Sequence, residues 1–168
     1  MINRFFFAII LLLTTSVNVF SHDIHTGDIV IDHSVIPSTV KSAPVAAGYM
    51  TITNKGEKDD KLLYFQAPFS NKTSIHEMKM VEGVMRMRPL DKGLVIPAGE
   101  SVALKKGGFH LMFQDLKEQM ENGQIRQITL GFEEAGRMKV DMLVVDPADL
   151  DAGEVTDHSG HSNHSGHE

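Results

Sequence analysis

Between residues 28 and 145, glycine-bearing turns recur so often that no amphipathic helix of ordinary length fits between them. Glu82-Gly83, Ala98-Gly99, Gly107-Gly108, Asn122-Gly123 and Ala135-Gly136 each signal a reversal. The intervening stretches are short and suited to extended backbone: residues 28–33, 48–54, 61–65, 73–80, 84–88, 101–104, 110–113, 124–132 and 137–145. Many short strands at this spacing predict an all-β fold, an antiparallel sandwich or barrel. In the first stretch, Ile29 and Ile31 fall on one face and Asp28, Val30 and Asp32 on the other. Residues 115–121 suit one helical turn or two, and long amphipathic helices are absent.

The two ends differ from this middle. Residues 1–21 read as a cleaved export signal: Arg4 supplies the positive start, an apolar run follows from Phe5 to Leu13, and Val19-Phe20-Ser21 suits cleavage. The run is too short to span a bilayer comfortably, so the mature chain is expected to be periplasmic and free of membrane insertion. Residues 22–146 then form one domain, long enough for a real core. Residues 147–168 have almost no large apolar side chains and are expected to be disordered. The chain contains no cysteine, which excludes disulfides and an anchor through a lipidated cysteine. A formal charge of −6, made one unit more negative by loss of Arg4, gives no reason to expect nucleic acid as partner.

Ten methionines and nine histidines distinguish the composition. Met78, Met80, Met85, Met87 and Met112 crowd around His76 and His110. Thioether sulfur and imidazole together suit monovalent copper better than zinc, calcium or magnesium. Side chains two apart on a strand share a face, so His76, Met78 and Met80 point one way, as do Met85 with Met87 and His110 with Met112. A turn at Glu82-Gly83 folds residues 73–80 against 84–88, pairing even positions with odd ones. Residue 78 or residue 76 then faces 87, and the sequence does not choose between these registers. A lone methionine is usually packing, and Met50, Met138 and Met142 are expected to be core. Two His-x-Met pairs beside a Met-x-Met pair point instead to a metal site.

The pattern His76, Met87 and His110-Leu111-Met112 resembles the periplasmic copper chaperone family called PCu(A)C. The likeness extends through His-Glu-Met-Lys-Met, Met-Arg-Met-Arg-Pro, Ile-Pro-Ala-Gly-Glu and Gly-Gly-Phe-His-Leu-Met, and through Ala-Gly-Tyr-Met-Thr-Ile-Thr-Asn at residues 47–54. It covers residues 27–145. Ser34-Val-Ile-Pro departs from the family in lacking an aromatic residue and an arginine. The interval from Met87 to His110 is one residue off the strict pattern. The resemblance implies a cupredoxin-like Greek-key sandwich. It also implies Cu(I) held by His76 through Nε2 or Nδ1, Met87 Sδ, a His110 nitrogen and Met112 Sδ, with Met78 and Met85 as neighbours. The implied partner is a copper acceptor, the copper centre of cytochrome c oxidase or a thiol-bearing assembly factor.

Four neutral donors with no general base nearby argue for a carrier rather than an enzyme, and the chain is expected to be monomeric. The tail repeats histidine every third residue, at His158, His161, His164 and His167, which suits Cu(II). Cleavage after Ser21 would expose His22 and His25 beside a free amine, a second Cu(II) candidate. His33 stands outside any donor pattern and reads as structural. Two other functions fit: a periplasmic copper buffer for resistance that relies on the tail, and a copper-independent sandwich whose methionines are only core.

Overall fold

A computed structural model describes the backbone of residues 24–152 and the side chains of residues 27–150. Residues 1–21, read above as an export signal, His22, the histidine tail and the side chain of His25 lie outside the described residues. The strands are β1 (Ile24–Thr26), β2 (Ile29–Pro37), β3 (Val45–Asn54), β4 (Asp60–Gln66), β5 (Ser70–Val81), β6 (Val84–Pro89), β7 (Leu94–Ile96), β8 (Ser101–Leu104), β9 (Phe109–Leu116), β10 (Ile125–Phe132) and β11 (Arg137–Val145). One short helix, α1 (Pro147–Ala152), follows them.

All eleven strands join one hydrogen-bonded sheet in the order β6-β5-β9-β8-β3-β2-β11-β10-β4-β7, with β1 laid on β2 and β9 also paired to β3. Pairing is antiparallel except between β2 and β11 and at the single β8–β9 bridge. The sheet folds back over its own core. Thr73 on β5 donates to the Phe65 carbonyl on β4 at 2.7 Å, and Asn54 on β3 donates to the Ile96 carbonyl on β7 at 3.0 Å. The expected all-β class holds, with the layers joined as parts of a continuous sheet.

Alternation along the strands builds the core. Met50 and Ile52 on β3 and Met138, Val140, Met142 and Val144 on β11 are buried, so the three methionines expected as filler are filler. Phe113 on β9 is fully buried at the centre, 5.3 Å from the Phe65 ring and 5.0 Å from the Phe69 ring between centroids. Burying a side chain of this size contributes about 1.5–3 kcal/mol. Its ring fills the space above residue 48: a Cβ there would lie 2.8 Å from Phe113 Cε2, which is why β3 carries glycine at that point.

Three local expectations need correction. Residues 115–121 hold no helix: Asp115 and Leu116 continue β9, and Met120 is buried, its carbonyl accepting from the Thr39 amide at 2.9 Å. Val30, expected to face outward with the aspartates, is buried as well, on a strand flanked by both β1 and β3. β7 was not foreseen, because three residues are too few to show periodicity. The first residues of the expected tail form α1, started by Pro147 and by the Asp146 carboxylate accepting from the Ala148 amide at 2.9 Å. His33 is exposed at a register shift of β2, with a φ of 52°, and is a backbone irregularity rather than a donor.

Candidate metal centre

The centre is organised by a two-residue turn. Glu82 and Gly83 both have positive φ, 52° and 77°, as a type I′ turn requires. Glycine takes this conformation without a Cβ penalty, and the turn's twist matches that of the strands it joins. The register that follows pairs Val81 with Val84, Met80 with Met85, Met78 with Met87 and His76 with Pro89. Of the two registers open at the level of sequence, the structure adopts the one with 78 opposite 87, so Met87 is diagonal to His76. Glu77 and Arg88 face each other on the opposite side and form an ion pair at 3.0 Å.

On the other flank of β5, His76 pairs directly with His110, and Ser74 with Met112. Directly paired residues lie on one face. His76, Met87, His110 and Met112 therefore share the outer face of three adjacent strands, β6, β5 and β9. Ile75, Leu111 and Phe113 occupy the inner face of the same strands and are buried. The imidazole centroids are 5.7 Å apart, with their planes inclined at 51°.

Each imidazole has one nitrogen occupied and one free of protein partners. His110, only 4% exposed, places Nδ1 at 3.1 Å from the Gly108 carbonyl. A carbonyl only accepts, so Nδ1 is the donor in this bond, which leaves Nε2 as the nitrogen turned away from Gly108. His76 Nε2 is 2.8 Å from Ser74 Oγ, which also accepts from Gln114 Nε2 at 2.9 Å. His76 Nδ1 is buried with no hydrogen-bond partner. An orphaned buried polar atom costs about 1–3 kcal/mol, a penalty that a bound ion would remove. Burial first, then the neighbouring His110 and Lys72, lowers the His76 pKa below its ordinary 6.5, keeping the ring neutral and able to donate. Both rings thus fit a metal ion, His76 through Nδ1 and His110 through Nε2.

The thioethers differ in setting. Met112 is half-buried, whereas Met87 on the edge strand is 47% exposed. Among the described residues no three His, Cys, Asp or Glu side chains cluster as a metal site, so this donor set depends on sulfur. Sequence reasoning missed Ser74, Gln114 and the Gly108 carbonyl, which orient the imidazoles. The signal was available for the first two: each lies two residues from a donor and so on the same face of its strand. A concavity lies elsewhere, beside Gly27, Asn54 and Asp60. Both Asp60 carboxylate oxygens there accept backbone amides, from Lys61, Glu134 and Ala135, which is a structural role.

Residues 29–144 match the model of the LpqE-like family, described as "Putative lipoprotein LpqE-like". The chain belongs to the LpqE-like family. A protein of Leifsonia xyli subsp. xyli named "Putative lipoprotein Lxx21020" is 28% identical over 102 residues, and the match covers 61% of each chain. The chain thus spans about six-tenths of that relative's length. Among solved structures, the copper-bound PCuAC domain from PmoF2 aligns with a TM-score of 0.63 at 22% identity, covering 75% of this chain and 99% of that one. Cu(I)-DR1885 from Deinococcus radiodurans aligns with a TM-score of 0.53 at 27% identity, covering 68% and 76%. The cupredoxin-like fold and the PCuAC relationship read from the sequence both hold. The given sequence contains no cysteine. No helix among the described residues is long and apolar enough to cross a membrane.

Proposed function

We propose that this protein is an exported copper chaperone that takes up Cu(I) on the outer face of β5, β6 and β9 and passes it on. The ligands are His76 Nδ1, His110 Nε2, Met87 Sδ and Met112 Sδ. The observation that carries the proposal is the direct pairing of two imidazoles, one with a buried Nδ1 that has no hydrogen-bond partner, on the same face as two methionines. Support also comes from the copper named in the PmoF2 and DR1885 structures. Imidazole and thioether bind Cu(I) well yet yield it to a thiolate, as a carrier must. Neutral ligands leave the ion its charge, and a face built to hold and release an ion reads as a carrier rather than an enzyme. The acceptor is the copper centre of cytochrome c oxidase or a thiol-bearing assembly factor, and the carrier acts as a periplasmic monomer. His158, His161, His164 and His167 gather Cu(II) and raise the local copper concentration by tethering.

Cu(I) titration against a competing chelator tests the site. Wild type is expected to bind one ion tightly, and Met87→Ala and His110→Ala to bind it more weakly. Unchanged affinity in both variants would refute the assignment. Removal of residues 158–168 should lower Cu(II) stoichiometry and leave tight Cu(I) binding intact. Cytochrome oxidase activity in a deletion strain at low copper separates delivery from buffering: normal oxidase with copper sensitivity would favour the buffer.

A further inference from the structure

The β5–β6 hairpin carries three thioethers, those of Met78, Met80 and Met85, that the proposed centre does not use. Met80 faces Met85, one pair beyond Met78 facing Met87, and all four lie on the face that bears the imidazoles. Met80 is 57% exposed and Met85 43%. The other face of the hairpin is charged, with Glu77 opposite Arg88 and Lys79 opposite Arg86. One face of this arm is thus thioether at every paired position from 78 to 87, and the reverse is charged except at the turn, where Val81 faces Val84. Exposed apolar side chains on an edge strand invite association with other chains, so a block of them calls for a reason. All four are methionine rather than leucine or valine, and the property they alone share is a soft sulfur donor on a flexible stem.

We propose that Met80 and Met85, together with Met78 and Met87, form a second Cu(I) position made of sulfur alone. It lies at the outer end of the hairpin and loads the imidazole centre. Directly facing residues on paired strands have Cβ atoms about 5 Å apart, within reach of a common ion for side chains as long as methionine. Met87 belongs to both positions, so the ion moves inward by exchanging thioethers for imidazoles while remaining Cu(I). The outer position lacks nitrogen donors and is open to solvent, so it binds more weakly and exchanges faster. This inference rests on the proposed copper function, and its test separates the two.

The test uses the whole exported chain, tail included, with 13C-labelled methionine methyl groups and Ag(I) as a redox-inert probe. The Met87 and Met112 methyl signals should move first. The Met80 and Met85 signals should move in a later, weaker step. In a Met80→Leu/Met85→Leu variant the later step should disappear from Met78 and Met87, while the first step is retained. The substitutions are volume-conserving and exposed, so the fold is expected to survive them. Met80 and Met85 signals that stay fixed at saturating Ag(I) would overturn the outer position. Movement of Met80 and Met85 with Met112 fixed would retain the outer position and reject the inner one.

Discussion

β9 and β6 present donors to the same face, yet the two strands are held in opposite ways. On β9 the donors His110 and Met112 alternate with Leu111 and Phe113, both fully buried in the core. β6 has one neighbouring strand, and all six of its residues are exposed. His110 is therefore set by packing and by its bond to Gly108, while Met87 sits on an arm that can adjust. On the proposed assignment the contrast suits a carrier, with the imidazoles of β5 and β9 on the packed side of the site and the Met87 thioether on its exposed edge. In the proposed function, affinity resides mainly in β9 and exchange mainly in β6.

The sharpest way to break this contrast is to remove the packing behind β9. Phe113→Ala should cost about 3–5 kcal/mol in chemical denaturation, because a buried ring is replaced by a cavity. Val84→Ala on the exposed arm should stay within about 0.5 kcal/mol. Equal losses would mean that the arm is as integral to the fold as the central strand. Gly48→Ala should cost about 1–3 kcal/mol, since its new methyl group meets the Phe113 ring.

The next effects are read in copper affinity. His110→Ala removes a buried proposed ligand held by its hydrogen bond to the Gly108 carbonyl, and Cu(I) affinity should fall by about 100-fold or more. Met87→Leu keeps the arm's shape and removes one exposed sulfur, so the loss should be smaller, about 10-fold. A chelator competition that ranks Met87→Leu at or above His110→Ala would reverse the assigned roles of the two strands.

Much of this was legible in the sequence, for reasons that differ along the chain. The hairpin was legible because Glu82-Gly83 is a strong turn signal and the methionines on both sides keep a period of two. The shared face of His76 and His110 was only half legible. Each lay on a recognisable strand, but the β5–β9 pairing joins residues 34 positions apart and nothing local specifies it. The register between 76 and 87 stayed open because either choice keeps the methionines outward; the two-residue turn decides it. The setting of the His76 ring depends on Ser74 and Gln114, a contact across strands. Residues 115–121 misled because their buried anchor, Met120, is held by Thr39 on a distant segment.

The smallest expected effect concerns protons on the fixed side of the comparison. His76 has its pKa lowered below 6.5, chiefly by burial and then by His110 and Lys72. In the unfolded chain the same ring titrates near 6.5, so on acidification the unfolded state takes up the proton first. The metal-free protein should therefore keep this contribution to stability above pH 6.5 and lose it progressively below that value, until the folded ring is protonated too. His76→Gln, which cannot titrate, should flatten that part of the stability profile, whereas Met87→Leu on the arm should leave it unchanged. Denaturation midpoints from pH 7.5 down to 5 would show the difference. An unaltered acid limb in His76→Gln would mean that the loss of stability arises elsewhere in the fold.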